Sequence, residues 1–406
     1  MNILYLTISP RRNHKTVKGI IDEFLAHGHS VYVVCPYDVD DAPVPYFTLI
    51  DGAYYLFVKS GYPTGKISLF KKVKNFITLD SAFQKAIRNT VKAITIDMVL
   101  YSTPPITLVN TIKWVKQKYK ASSYLMLKDI FPQNAVDLGM MKTHGLMGIP
   151  YRFFRRKEKK LYEVSDYIGC MSEANVKYVL DHNPEIDKNR VGICVNSYKC
   201  KEPQQIATSD VRKQYDIPND RIVFVYGGNL GKPQGLSFLV DILKSNEEKT
   251  DRYFVICGGG NDQNTILNYI KDNNPANVKF ISTLKSDEFD TLMQACDVGL
   301  IFLDRRFTIP NFPSRLLSII QNEKPALAAT DINTDIGEVI MNNGFGWWCE
   351  SGDLVKFNHY LDEICANPAI IKEKGGIGRA FFEQNYTSTN AYEQIINGYN
   401  ISKTIK

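Results

Sequence analysis

The sequence has no uninterrupted apolar run near the roughly 18 residues that a membrane-spanning helix requires, which argues against an integral membrane protein. Its amino terminus, MNILYLTISPRR, reads as a first buried strand instead of a secretory leader, so a cytoplasmic chain is expected. Cysteine pairing is also missing. The eight cysteines, Cys35, Cys170, Cys194, Cys200, Cys257, Cys296, Cys349 and Cys365, include no CxxC pair and mostly sit in apolar runs. Buried free thiols are the favoured reading over zinc ligands or a disulfide framework. The six histidines form no obvious cluster of ionisable groups. With 44% hydrophobic and 23% charged residues, low-complexity and disordered classes are excluded.

What is present is enough chain for two cores: 406 residues are about twice a typical domain. The net charge of +6 hides an asymmetry. Residues 1–200 carry 28 Lys and Arg against 17 Asp and Glu, whereas residues 201–406 carry 21 against 26. The basic first half should be drawn to phosphate-rich partners: anionic membrane, nucleic acid or a polyphosphate ligand. No nucleic-acid-binding motif is recognisable and no aromatic stacking platform is evident, so nucleic acid ranks last.

Both halves alternate short apolar runs with amphipathic segments. NILYLTI (2–8), HSVYVVCP (29–36), TIDMVLYSTPP (95–105), SSYLMLKDIFP (122–132) and SDYIGCMS (165–172) read as strands, separated by helices that include one near 150–164. A loop with Arg11, Arg12 and His14 follows the first of them. The pattern restarts at RIVFVYGGNL (221–230) and continues through YFVICGGG (253–260), VKFIS, DVGLIFL and PALAATD. Strands alternating with helices predict parallel sheets covered on both faces, hence an α/β chain of two doubly wound domains. The polar, breaker-rich stretch from Asn196 to Asp220 marks the hinge, giving domains at 1–200 and 201–385. The last helix, in 386–406, is expected to pack back on the first domain.

Ligands of parallel sheets bind beyond the carboxyl ends of the strands, and GGNLGKPQG (227–235) is such a turn. Gly227 and Gly228 allow close backbone approach, Asn229 and Gln234 are polar neighbours, and Lys232 puts a cation where a diphosphate needs one. Any strand-to-helix turn tolerates glycine, so this turn alone leaves a plain structural role open. Gly259, in the second glycine turn (258–260), is weaker, because that turn lacks the full dinucleotide fingerprint. In NFPSRLLSII (311–320), Asn311, Phe312 and Pro313 precede Ser314, a candidate N-cap, with Arg315 in the first turn and Ser318 further along. Free amides and a guanidinium would converge there on an anion, although an ordinary capped helix with an exposed arginine fits the same pattern.

Taken in order, GGNLGKPQGL, the second glycine turn, FTIPNFPSRLL and KPALAATD resemble the donor half of bacterial family 4 glycosyltransferases, particularly those of capsule, O-antigen and exopolysaccharide synthesis. LKDIFPQNAVDLGMM (127–141) and RRKEKKLYEVSDYIGCMSEAN (155–175) resemble their acceptor half. The resemblance implies a GT-B fold, two Rossmann-like domains facing a central cleft, and a nucleotide-sugar donor, a UDP-sugar for preference. It also implies transfer of a hexose or N-acetylhexosamine with retention of configuration, no cofactor and no metal. Carried over by position, Gly228 and Asn229 would line the diphosphate, and Lys232 and Arg315 would neutralise it. Ser314 and its neighbours would offer amides, and Asp129 would lie on the acceptor side. Two departures stand out. Lys128 occupies the place of a histidine beside Asp129, and Pro310 and Ser318 occupy the places of two glutamates, so ribose recognition falls to other groups such as the Ser318 hydroxyl.

Two segments join apolar and basic residues in the manner of a helix lying on anionic lipid: KISLFKKVKNFI (66–77), with Lys71, Lys72 and Lys74, and GLMGIPYRFFRRKEKK (145–160), with Arg152, Phe153, Phe154, Arg155 and Arg156. They suggest a lipid-linked, polyprenyl-diphosphate-type saccharide acceptor and peripheral attachment to the inner membrane face. A solvated basic helix face remains the alternative for each segment. Two other functions stay open: a non-catalytic sugar-nucleotide-binding scaffold of a polysaccharide assembly complex, and an epimerase or hydrolase on the same fold.

Overall fold

A computed structural model describes residues 1–8, 15–37, 46–59, 69–91, 94–203 and 206–405, and its chain divides into two compact units, Met1–Lys199 with Thr387–Lys406, and Cys200–Tyr386. Arg11, Arg12 and His14 lie outside the described residues.

The first unit is built on an eight-stranded sheet of β1 (Asn2–Leu6), β2 (Ser30–Tyr37), β3 (Tyr46–Ile50), β4 (Ala53–Lys59), β5 (Met98–Ser102), β6 (Ser122–Leu127), β7 (Tyr167–Cys170) and β8 (Val191–Ile193). Their spatial order is β3-β4-β2-β1-β5-β6-β7-β8, and every pair is parallel except β3 with β4. The helices are α1 (Lys15–Ala26), α2 (Leu69–Thr90), α3 (Val109–Tyr119), α4 (Gln133–Asp137), α5 (Ile149–Val164) and α6 (Glu173–His182). The continuous apolar character of the strands follows from burial on both faces: all six residues of β6 are buried. The β3–β4 hairpin was not legible in the alternation of strands and helices, because an antiparallel edge strand with one face in water interrupts the parallel pattern; three of the five residues of β3 are exposed.

The second unit has a six-stranded, wholly parallel sheet. Its strands are β9 (Ile222–Asn229), β10 (Arg252–Gly259), β11 (Val278–Ile281), β12 (Val298–Phe302), β13 (Ala326–Thr330) and β14 (Gly346–Glu350), ordered β11-β10-β9-β12-β13-β14. The helices are α7 (Thr208–Gln214), α8 (Leu236–Ser245), α9 (Asn264–Asn273), α10 (Ser286–Ala295), α11 (Arg315–Gln321), α12 (Ile336–Asn342), α13 (Leu354–Ala366) and α14 (Ala369–Asn385). Phe224, Phe254, Phe302 and Phe357 anchor one core layer, with the Phe302 and Phe357 rings stacked 5.7 Å apart. The strand order reverses between β9 and β12, so the carboxyl ends of these strands flank the crevice where such sheets take ligands.

After α14 the chain returns to the first unit as α15 (Ser388–Thr404), which packs on α1, β6 and β7. Thr387 caps it, its hydroxyl accepting from the Asn390 amide at 3.3 Å, and the side-chain oxygen of Gln394 accepts from the Val195 amide at 2.9 Å. Gly398 lets the helix press on the Tyr167 and Tyr124 rings, since a Cβ there would come within 2.6 Å of the first and 2.7 Å of the second. Among the described residues no helix is long and apolar enough to cross a membrane. All eight cysteines are free thiols; six are buried, Cys365 is half-buried and Cys200 is exposed, so the expectation of burial fails for Cys200.

Candidate functional site

The β9 turn is shaped by two contacts and one backbone conformation that disfavour side chains. A Cβ on Gly227 would collide with the Phe289 ring, and one on Gly258, paired across the sheet with Gly228, would collide with the Gly228 carbonyl. Gly228 has φ of 133°, a conformation that disfavours side chains. The result is a bare stretch of backbone at Gly228 and Asn229, both exposed. The position that most needs to lack a side chain in the second turn is therefore Gly258, whereas Gly259 only approaches the Thr283 hydroxyl, its Cβ 2.9 Å away.

Gln234 is a correction to the expected donor contacts. It is buried, and its side-chain oxygen accepts from the Gly231 amide at 3.2 Å and from the Asn229 side chain at 3.4 Å, so it braces the turn from within. Lys232 opens the 3-10 turn that follows, is exposed, and forms no ion pair among the described residues.

Arg315, the first residue of α11, reaches this turn: its Nη2 lies 3.4 Å from where a Gly228 Cβ would stand. Its guanidinium lies 4.6 Å from the centre of the Tyr226 ring, and the Tyr226 hydroxyl donates to the Asn229 carbonyl at 2.7 Å. Burial raises the Tyr226 phenol pKa, with Arg315 opposing the rise, so the phenol stays neutral. Tyr226 thus ties the arginine to the turn. Nη1 of Arg315 and Oγ of Ser318, one helical turn further on, are buried without a hydrogen-bond partner among the described residues. Such orphaned groups cost about 1–3 kcal/mol each unless a ligand satisfies them.

Two expectations at this helix are corrected. Ser314 occupies the N-cap position but has helical angles, φ −64° and ψ −12°, so its side chain makes no capping bond, and α11 is only seven residues long. Anion attraction here rests on the guanidinium more than on a helix end. Phe312 is 2% exposed and packs its ring against Tyr386 at 5.8 Å, which makes it a prop inside the loop and not a ligand contact. The Asn311 carbonyl accepts from the Thr334 hydroxyl at 2.5 Å, fixing the loop before the helix.

In the first unit, Asp129 follows β6. The Thr103 hydroxyl donates to its carbonyl at 3.0 Å and accepts from its amide at 3.1 Å, while the Asn134 side chain donates to both carboxylate oxygens at 2.8 and 3.0 Å. Burial pushes the Asp129 carboxyl up to about 6, against the lowering effect of Asn134. Lys128 does not pair with it; its ammonium donates to the Cys194 and Val195 carbonyls at 2.9 Å, and burial lowers its pKa. Next to Asp129, Ile130 lines a small cleft together with Tyr151, Arg155, Glu158 and Tyr178.

The basic segments divide. The side chains of Lys71, Lys72 and Lys74, on α2, lie outside the described residues. On α5, Arg152, Phe153 and Arg156 are exposed, but Phe154 is 8% exposed and packs edge-on against Phe131, 5.1 Å away. Arg155 turns inward to Glu158 at 2.6 Å and Asn183 at 2.7 Å. Those two expected membrane contacts are therefore structural, because the helix must bury one stripe against its own domain. Tyr226, Asn134 and Thr103 were not singled out in the sequence, although Tyr226 adjoins the glycine pair, and Gly258 was read there only as part of the second glycine turn.

Two doubly wound units with this site at a sheet reversal define the class, the GT-B architecture. Solved structures share it along the whole chain: sucrose-phosphate synthase from Thermosynechococcus elongatus superposes with a TM-score of 0.78 at 13% identity, covering 100% of both chains. The Anabaena HepE protein in complex with UDP-glucose superposes with a TM-score of 0.68 at 13% identity over 98% of each. The family Glycosyl transferases group 1 matches residues 208–376, nearly the entire second unit. In sequence the chain is 25% identical over 320 residues, 77% of its own length and 76% of the other's, to the Pseudomonas aeruginosa protein named Probable glycosyltransferase WbjE. The second unit thus carries a match to the group 1 glycosyltransferases over residues 208–376, and the chain is similar in sequence to a protein named as a glycosyltransferase.

Proposed function

We propose that the protein transfers a hexose or N-acetylhexosamine from a UDP-sugar to a polyprenyl-diphosphate-linked saccharide, with retention of configuration and without a metal or other cofactor. It would do so at the inner face of the cytoplasmic membrane during assembly of a surface polysaccharide. The observation that carries the donor side is the Arg315 guanidinium, held on Tyr226 against the side-chain-free Gly228 with one nitrogen unsatisfied. A departing diphosphate gains negative charge as the glycosidic bond breaks, and preorganised cations at that point lower the barrier without reorganising. Arg315 and the exposed Lys232 supply that charge. The UDP-glucose held by the Anabaena protein supports a uridine nucleotide. Ser318, whose buried hydroxyl has no partner among the described residues, is the polar group offered toward ribose.

On the acceptor side Asp129 orients the incoming hydroxyl and takes its proton. A carboxyl at about 6 is still ionised at neutral pH and is a stronger base than an ordinary aspartate. The resemblance of segments 127–141 and 155–175 to acceptor halves of capsule and O-antigen enzymes supports a lipid-linked saccharide.

The test is incubation of the purified protein with UDP-, GDP- and dTDP-sugars and a membrane extract rich in polyprenyl-diphosphate saccharides, following nucleotide release and labelled lipid by mass spectrometry. Acceptor-dependent release of a single nucleotide, lost in Arg315→Ala, is expected. Donor binding without turnover across a broad acceptor panel would refute the transferase reading in favour of a scaffold.

A further inference from the structure

Lys128, the residue after β6, carries a charge that the fold draws inward without an answering one. It is half-buried, and its ammonium donates to the Cys194 and Val195 carbonyls, both at 2.9 Å. Those carbonyls lie just past β8, and β7 stands between β6 and β8, so the side chain crosses the carboxyl end of β7. An ammonium has three N–H donors, and the two carbonyls take two of them. No ion pair answers the charge among the described residues, and Asp129, its neighbour in the chain, is turned to the Asn134 side chain instead. Elsewhere the fold matches inward cations with carboxylates: Arg212 meets Asp297 at 2.8 Å, Arg252 meets Asp362 at 2.6 Å and Arg379 meets Glu383 at 2.6 Å.

A purely mechanical role does not account for this lysine. The segment it touches is already fixed, since the Cys194 amide donates to the Cys170 carbonyl at 2.7 Å and the Val195 amide to the Gln394 side chain at 2.9 Å. Its own backbone is set by Thr103, whose hydroxyl accepts from the Lys128 amide at 3.0 Å and from the Asp129 amide at 3.1 Å. A pin between carbonyls needs N–H donors, which an uncharged amide supplies, and not a full charge, whose burial is costly without a counter-ion. Burial accordingly lowers the Lys128 pKa. Arg315 shows the same pattern in the second unit, a guanidinium with one buried nitrogen unsatisfied among the described residues. Lys128 stands at the carboxyl ends of the first sheet, where parallel sheets take ligands. Its ammonium and the Asp129 carboxyl are one to two strand spacings apart, roughly 5–10 Å.

We propose that Lys128 reads charge on the acceptor: its ammonium binds an anionic oxygen, a carboxylate on one of the acceptor's sugars or a phosphate of its lipid linkage, while the hydroxyl to be glycosylated lies at Asp129. The proposal rests on the reading of Asp129 as the acceptor-side residue and names what that acceptor must carry. The spacing puts the anion about a sugar ring away from the reacting hydroxyl. A neutral saccharide of the same shape leaves the charge unmet and binds less tightly. Lys128 takes no part in the proton transfer; it selects the acceptor and positions it.

Titration calorimetry of the full chain without donor tests it, with two matched pairs of probes: disaccharides ending in glucuronic acid or in glucose, and N-acetylglucosamine joined to a short prenyl chain through a diphosphate or directly. The wild type should bind the charged member of one pair about tenfold more tightly than the neutral one, as a hydrogen bond between charged groups provides. Preference within the first pair assigns the anion to a sugar carboxylate, and within the second to the lipid linkage. Lys128→Gln keeps N–H donors for the carbonyls and removes the charge, so it should bind both members of that pair alike, at the wild-type affinity for the neutral one. Thermal unfolding controls for the fold. UDP binding is measured separately, and its failure in the wild type would count against the donor reading alone. The proposal is overturned by wild-type protein that favours neither charged probe, a comparison that needs no variant. It is equally overturned by a Lys128→Gln variant that keeps the preference, or by one that weakens charged and neutral probes to the same degree.

Discussion

Arg315→Ala separates a residue kept for chemistry from one kept for stability. In the folded protein the guanidinium gains a cation–π contact with Tyr226, worth about 0.5–2 kcal/mol, and leaves Nη1 buried and unsatisfied, at a cost of about 1–3 kcal/mol. These offset one another, so chemical denaturation of the Ala variant should give a stability within about 1 kcal/mol of wild type, or slightly above it. Catalysis should respond very differently. Removing one preorganised donor from a developing anion costs about 3 kcal/mol, which is about a hundredfold in kcat. UDP affinity should fall as well, by about tenfold, because the product diphosphate already carries charge. Arg315→Lys keeps the charge but loses the planar fork and its stacking on Tyr226, and should recover only part of the loss. The assay is kcat and KM against the donor found in the screen, with UDP titration calorimetry alongside. An Ala variant that loses less than about threefold in kcat/KM while keeping its fold would refute the assignment.

Gly258→Ala should destabilise the second unit by about 2 kcal/mol or more, since its Cβ meets the Gly228 carbonyl in a backbone conformation that already disfavours a side chain; urea denaturation measures it. Lys232→Ala, at an exposed position with no ion pair among the described residues, should leave stability within about 0.5 kcal/mol of wild type yet lower kcat at least tenfold, read in the same donor assay. Asp129 gives a pH signature. Its folded pKa is raised to about 6, so kcat/KM should fall as pH drops through about 6, and Asp129→Asn should show low activity without that limb. Because the native state holds this proton more tightly than the unfolded chain, the stabilising effect of protonation is lost as pH rises from about 4 through 6, and Asp129→Asn should be more stable than wild type at neutral pH.

The alternation of apolar strands with amphipathic helices was enough to read both sheets as parallel, because a strand buried on two faces must be apolar throughout; β1, β6 and β13 are buried almost without interruption. The same logic could not reveal β3, whose residues face water on one side. Glycine pairs at strand ends were also legible, since a missing side chain is a property of the sequence itself. Which glycine matters was not: Gly258 abuts Gly228 only because the register of β10 on β9 sets them opposite each other.

The sequence by itself determined the class of fold, the location of the glycine-rich turn after β9 and the presence of Lys232 and Arg315, all consequences of residue type and local period. Tertiary structure alone decided how those groups are used. It set Arg315 on the ring of Tyr226, about ninety residues earlier in the chain, turned Gln234 and Phe312 inward as props, and separated Lys128 from Asp129 although they are neighbours in the chain. It also split the basic segment of α5 into a buried stripe with Phe154 and Arg155 and an exposed one with Arg152, Phe153 and Arg156. Sequence can count charges and apolar groups on a helix, but which way each one points depends on where the helix meets its domain.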